Sequence, residues 1–186
     1  MRIISGSARG RRLFSPASYR VRPTADRVKE ALFNILAGLV DFSGCRALDI
    51  FAGTGNLGIE SLSRGAGVVV FVDSHRESAA LVRKNLSLVG LESRGRIIER
   101  EVLTALGMLE KEGERFDLVF LDPPYAQGLA EKTLRHLADS PLLHAGSVVV
   151  AEISSREEVP GTFGPLVQFD RRIYGDTALV FFSLGE

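Results

Sequence analysis

Four short apolar runs, at residues 47–50, 68–72, 118–121 and 147–153, constrain the chain most, because they lack the alternation of a half-wetted strand. Nearly continuous runs of this length suit strands covered on both faces, as in the middle of a parallel sheet. Between them lie turns and amphipathic helical stretches, ending near residue 64 and spanning 77–89, 103–111 and 129–138. A short third strand is expected at 97–98, and two late strands at 166–171 and 177–182 form a final hairpin. The repeated strand, turn and helix predict a Rossmann-like α/β fold with a doubly wound, mostly parallel, seven-stranded sheet and an antiparallel C-terminal strand. With 45% hydrophobic residues, 186 residues supply a core for one domain.

Acids mark the ends of these strands, where open α/β sheets bind their ligands. The fourth major strand, FDLVFL, runs directly into Asp122-Pro123-Pro124-Tyr125. Two prolines stiffen the turn and keep its carbonyls available as acceptors, while Tyr125 adds a flat ring. A carboxylate, a fixed carbonyl and a stacking face suit a planar heterocycle with an exocyclic NH2, so these four residues are the catalytic candidates. A simple proline turn with a capping Asp is the plainer reading, and it accounts for Asp-Pro alone better than for the whole tetrad.

The first strand ends in Asp49 and passes through Phe51 into Gly53-Thr54-Gly55-Asn56-Leu57-Gly58, a G-x-G-x-x-G turn into a helix. Asp73 follows 20 residues after Gly53, where a ribose-binding acid belongs. A nicotinamide dinucleotide is one candidate. Asp49 argues against it, because a carboxylate there would repel the pyrophosphate held at the helix N-terminus. S-adenosylmethionine has no phosphate and a cationic amino acid end, and fits the same carboxylate better.

Zero net charge conceals an asymmetry: residues 1–30 carry +6 and the remainder −6. Arg2, Arg9, Arg11 and Arg12 fall in a predicted hairpin or extended arm, and arginine suits phosphate contact and base stacking. Thr24 is expected to cap a helix with Asp26 in its first turn. Val28, Ala31, Leu32, Ile35, Leu36 and Leu39 give that helix an apolar face, with Arg27, Lys29 and Glu30 on the other side. The expected division is a basic RNA-contacting arm over residues 1–22 and a main domain over 23–186. Tyr19 and Arg20 lie in a linker that could act as a hinge or lid.

Asp49-Ile50-Phe51-Ala52-Gly53-Thr54-Gly55 and Asp122-Pro123-Pro124-Tyr125 resemble the cofactor and target-amine motifs of class I amino-methyltransferases. At the front, Arg2-Ile3-Ile4-Ser5-Gly6, Gly10-Arg11, Arg22-Pro23-Thr24, the stretch Asp26-Arg27-Val28-Lys29-Glu30-Ala31-Leu32-Phe33-Asn34-Ile35-Leu36 and Ser63-Arg64-Gly65-Ala66 narrow the likeness. They resemble the bacterial small-subunit ribosomal RNA guanine-N2 methyltransferases over nearly the whole chain. The resemblance implies a class I methyltransferase fold and S-adenosylmethionine bound by Asp49, Phe51, Gly53, Thr54, Gly55, Asp73 and Glu101. Glu101 stands where the family usually has Asp or Asn near the adenine. The implied substrate is guanine 966 of 16S ribosomal RNA, on the assembled or nearly assembled 30S subunit. RNA contacts would come from Arg2, Arg9, Arg11, Arg12, Arg22 and Arg27.

Adenine-N6 and protein-glutamine methyltransferases use the same kind of amine, though their tetrads more often begin with Asn. A nicotinamide oxidoreductase and a non-catalytic RNA-binding module are the rivals from other classes. Cys45 is the only cysteine, the three histidines lack ligand spacing, and no run has membrane length. A cytoplasmic, metal-free protein, monomeric and without a membrane partner, is expected. Residues 110–114 read as a solvated helix end, and Tyr174-Gly175-Asp176 as a structural turn.

Overall fold

The computed structural model describes residues 1–16, 23–124 and 127–185. Tyr19, Arg20, Arg22 and Tyr125 lie outside them, as does the side chain of Thr24. In chain order the elements are α1 (Pro23–Leu36), β1 (Arg46–Ile50), α2 (Asn56–Ser63), β2 (Val68–Asp73), α3 (Arg76–Val89), β3 (Gly95–Glu99) and α4 (Val102–Lys111). These are followed by β4 (Leu118–Leu121), α5 (Leu129–Ala138), β5 (Val148–Ser154), β6 (Thr162–Phe163), β7 (Leu166–Tyr174) and β8 (Thr177–Leu184).

The four apolar runs become β1, β2, β4 and β5 in one sheet of order β3-β2-β1-β4-β5-β8-β7-β6. The first five strands in that order are parallel, and β8 joins β5 antiparallel. The sheet has eight strands rather than seven because the two-residue β6 pairs with β7, adding an edge strand too short for a periodic signal.

Alternation along the strands sorts the core into two layers. Ala47, Val69, Phe71, Leu118, Phe120 and Phe181 face α1, α2, α3 and the N-terminal arm. Leu48, Ile50, Val70, Val119, Leu121 and Ala151 face α4 and α5. Strand order reverses between β1 and β4, and the crevice beyond their carboxyl ends is where such sheets bind ligands.

Three expectations at the front change. Helix α1 begins at Pro23, so Thr24 lies inside its first turn instead of capping it; proline suits a first helical position because it lacks the N–H that goes unpaired there. Leu39 lies beyond the helix and is exposed. Lys29, expected on the wet face, is 2% exposed because Glu60 of α2 pairs with it at 3.1 Å.

The arm is a tight loop closed by the Arg2–Arg12 bridge and by Ile3 N–H donating to the Arg11 carbonyl at 2.9 Å. Ile3, Ala8 and Leu13 are buried in the core layer that α1, α2 and α3 form on the sheet. The buried Glu60 carboxylate accepts the N–H groups of Ile4 and Ser5 at 2.9 and 3.0 Å. Lys29 Nζ donates to the Arg2 carbonyl at 2.7 Å and to Asn56 Oδ1 at 2.8 Å. Burial pulls the Lys29 ammonium below its ordinary pKa, against the opposing pull of Glu60. The arm's backbone is therefore clamped to α1 and α2 by a buried ionic cluster.

Candidate active site

Strand register brings the predicted acids together. Asp49 of β1 stands beside Phe71 and Phe120, so it shares their face of the sheet. It is 2% exposed, and its Oδ2 accepts the Gly58 N–H at 2.8 Å. Burial raises its pKa from 3.8 to about 7, opposed by that hydrogen bond and aided by Asp73. A buried carboxylate poised near neutrality holds its charge better when a cation arrives.

The turn after Asp49 departs from ordinary backbone at Phe51, whose φ is 63°, and Gly55 stands in the left-handed region at the start of α2. Gly58 meets a stricter demand: a β-carbon there would lie 2.3 Å from Phe71 Cε1, so the third glycine lets α2 close against β2. Asp73 ends β2, with Oδ2 accepting the Gly53 N–H at 2.9 Å and Oδ1 accepting the His75 N–H at 2.8 Å. Oδ1 also meets His75 Nδ1 at 3.2 Å, while Oδ2, with one donor, retains acceptor capacity for a hydroxyl. Glu101 caps α4, accepting the Thr104 N–H at 3.3 Å, and is exposed just past the end of β3.

Asn85 supports this turn from behind. It is fully buried, and its Nδ2 donates to the Thr54 carbonyl at 2.9 Å and the Phe14 carbonyl at 3.0 Å. Its Oδ1 accepts the Phe14 N–H at 2.7 Å. One amide thus ties the glycine turn to the end of the arm.

On the other side of β1, Asp122 follows β4, and its N–H donates to the Ile50 carbonyl at 3.3 Å. Burial, then the charges of Glu152 and Asp49, raise its carboxyl well above the ordinary range. Asp122 is exposed at the crevice mouth, where water tempers the first cause; the two like charges act in the same direction. Pro123 is buried and Pro124 exposed. Glu152 was missed in the sequence because it lies inside the apolar run of β5, followed by Ile153, rather than just past a run's end as Asp122 does.

Among the predicted RNA contacts, Arg2, Arg9, Arg11, Arg12 and Arg27 are exposed. Residues 110–114 do more than face water. Glu114 pairs with Arg46, Glu112 with Arg96, and Glu110 accepts the Ser140 hydroxyl at 2.6 Å.

The model of the family described as Conserved hypothetical protein 95 matches residues 1–183. The chain belongs to this family. Members similar to it include the Escherichia coli (strain K12) protein named ribosomal RNA small subunit methyltransferase D, 36% identical over 160 residues, covering 86% of this chain and 78% of that protein. A Haemophilus influenzae protein of the same name is 39% identical over 153 residues, covering 82% and 78%. YlbH of Bacillus subtilis (strain 168), provisionally named an rRNA methyltransferase, is 37% identical over 183 residues, covering 98% of both chains. A solved structure from Thermus thermophilus superposes with a TM-score of 0.83 at 34% identity, covering 97% of this chain and 98% of that one. The fold of this chain is the Rossmann-like class I methyltransferase fold.

Proposed function

We propose that the protein transfers a methyl group from S-adenosylmethionine to the exocyclic N2 amine of one guanine in small-subunit ribosomal RNA, with the assembled or nearly assembled 30S subunit as substrate. Its family relatives are named as ribosomal RNA methyltransferases, which supports the cofactor and the RNA class. The observation that carries the reading is the adjacency of Asp122-Pro123-Pro124 to the glycine turn, through the Asp122 N–H bond to Ile50 at 3.3 Å. A carboxylate made for a donor-rich edge stands one strand away from a carboxylate made for a cation.

The residues present fit this cofactor. Asp49 is a buried carboxyl whose charged form suits the cationic amino acid end, Asp73 has acceptor capacity for ribose hydroxyls, and the Phe51, Gly53, Thr54 and Gly55 turn offers backbone at close approach. Glu101 stands past β3 on the adenine side, its Oε2 engaged by Thr104. When bound, the cofactor supplies an electrophilic methyl on a sulfonium.

The guanine N2 lone pair is delocalised into the ring, which makes the amine a poor nucleophile. Asp122 and the Pro123 carbonyl accept its two N–H groups and draw the nitrogen toward tetrahedral geometry, while Tyr125 stacks on the base. Negative charge at Asp122 also stabilises the positive charge that develops on nitrogen. To enter, the guanine must leave its stack or lie in a loop, and exposed arginines of the arm hold the surrounding phosphates. The test is Asp122→Ala: turnover falls on the order of a hundredfold or more with cofactor affinity retained. Wild-type turnover in that variant would contradict the assignment.

A further inference from the structure

Glu152 has no part in the function proposed above, yet it is built into the same crevice. Leu121 of β4 pairs in parallel with Ala151 of β5, and both face α4 and α5. The next residues, Asp122 and Glu152, are therefore side by side on the opposite face, which Asp49 shares. Adjacent strands lie about 4.8 Å apart, so the two carboxylates are neighbours across the ladder. Their mutual influence is the leading charge effect on Asp122. Pairing with Leu179 of β8 sets Glu152 within the sheet, half-buried rather than at a free end.

Side by side, these residues present an edge made only of acceptors: the Asp122 carboxylate, the Pro123 carbonyl and the Glu152 carboxylate. Guanine presents three N–H bonds in sequence along the matching edge, two on N2 and one on N1. Adenine presents two on N6 and then a bare N1 lone pair, which a carboxylate repels.

We propose that Glu152 is a specificity-determining residue that accepts the guanine N1–H while Asp122 and the Pro123 carbonyl accept the N2 amine, so that the site selects guanine over bases whose N1 is an acceptor. This rests on the function proposed above and deepens it. The donors of the incoming base relieve the repulsion between the two carboxylates, so recognition and charge balance act together. A site that hydrogen-bonds a substrate N–H rejects analogues lacking it far more strongly than a shape-selecting pocket does.

The test compares small-subunit RNA carrying guanine at the target position with the same RNA carrying 2-aminopurine, which keeps the 2-amine but has an unprotonated N1. The wild-type protein should favour guanine in kcat/KM on the order of tenfold to a hundredfold. Glu152→Gln should bring the two rates toward equality, mainly by loss on guanine, because a carboxamide offers either an acceptor or a donor to N1. Glu152→Asp keeps the carboxylate and should retain the preference at a reduced rate. Cofactor affinity should be the same in all three proteins. An unchanged preference in Glu152→Gln, or a parallel fall on both RNAs, overturns the inference and leaves the function standing. Absence of transfer to guanine by the wild-type protein overturns both.

Discussion

The two halves of the crevice hold the same chemical group in opposite ways. On the glycine-turn side, Asp49 and Asp73 are held by backbone N–H groups of Gly58, Gly53 and His75. Across β1, Asp122 faces Glu152, so its neighbourhood adds like charge. The first arrangement fixes its acids before any ligand arrives. The second is satisfied best by something that brings hydrogen-bond donors, and a base with a row of N–H groups does so. In the function proposed above, the first is a rigid methyl-donor site and the second a target site completed by its substrate.

The clamp beneath the arm is where the largest effect on stability is expected. Glu60 holds Lys29, Arg64 and the N–H groups of Ile4 and Ser5 inside the protein. Glu60→Ala should destabilise the fold by about 3–5 kcal/mol, because breaking a buried pair strands its partner. Denaturant unfolding measures it, and a loss near zero would mean that the arm is not anchored there.

Asp49→Asn sharpens the contrast from the rigid side. Its folded pKa of about 7 exceeds the ordinary 3.8, so the free protein binds more protons at this site than the unfolded chain does. The stability this lends is present below the unfolded value and lost as pH rises through about 7. In the free protein at pH 8, the Asn variant should therefore be more stable than wild type by an amount on the order of a few kcal/mol. Its affinity for S-adenosylmethionine should drop on the order of tenfold, and the wild-type affinity should rise with pH through neutrality. Calorimetric titration across pH reads both; a flat wild-type profile would separate Asp49 from the cation.

The arm gives the smallest effect on the crevice itself. Replacing Arg9, Arg11 and Arg12 with Ala should leave cofactor affinity unchanged and weaken RNA binding, with a shallower salt dependence. Binding measured over a salt series checks this, and an unaltered slope would remove the arm from the RNA interface.

Much of this was legible because burial on both faces writes itself as nearly unbroken apolar runs: β1, β2, β4 and β5 were readable, and so were Asp49, Asp73 and Asp122 at the ends of the first three. β6, two residues long, carries no period. Lys29 misled because its partner, Glu60, lies 31 positions away, and a buried ion pair resembles two surface charges in the linear chain. The docking of the arm was hidden for the same reason, since Ile4 and Ser5 meet Glu60 across more than 50 residues. Glu152, interior to its apolar run, lacked the terminal position that exposed Asp122, and strand register is what brings the two together.

Guanine-N2 methylation is measured by supplying labelled S-adenosylmethionine with unmethylated small ribosomal subunits and, separately, with naked ribosomal RNA, then digesting to nucleosides. Label should appear in N2-methylguanosine, formed mainly on subunits. Label in another base or in protein, or no transfer to either substrate despite tight cofactor binding, would contradict it.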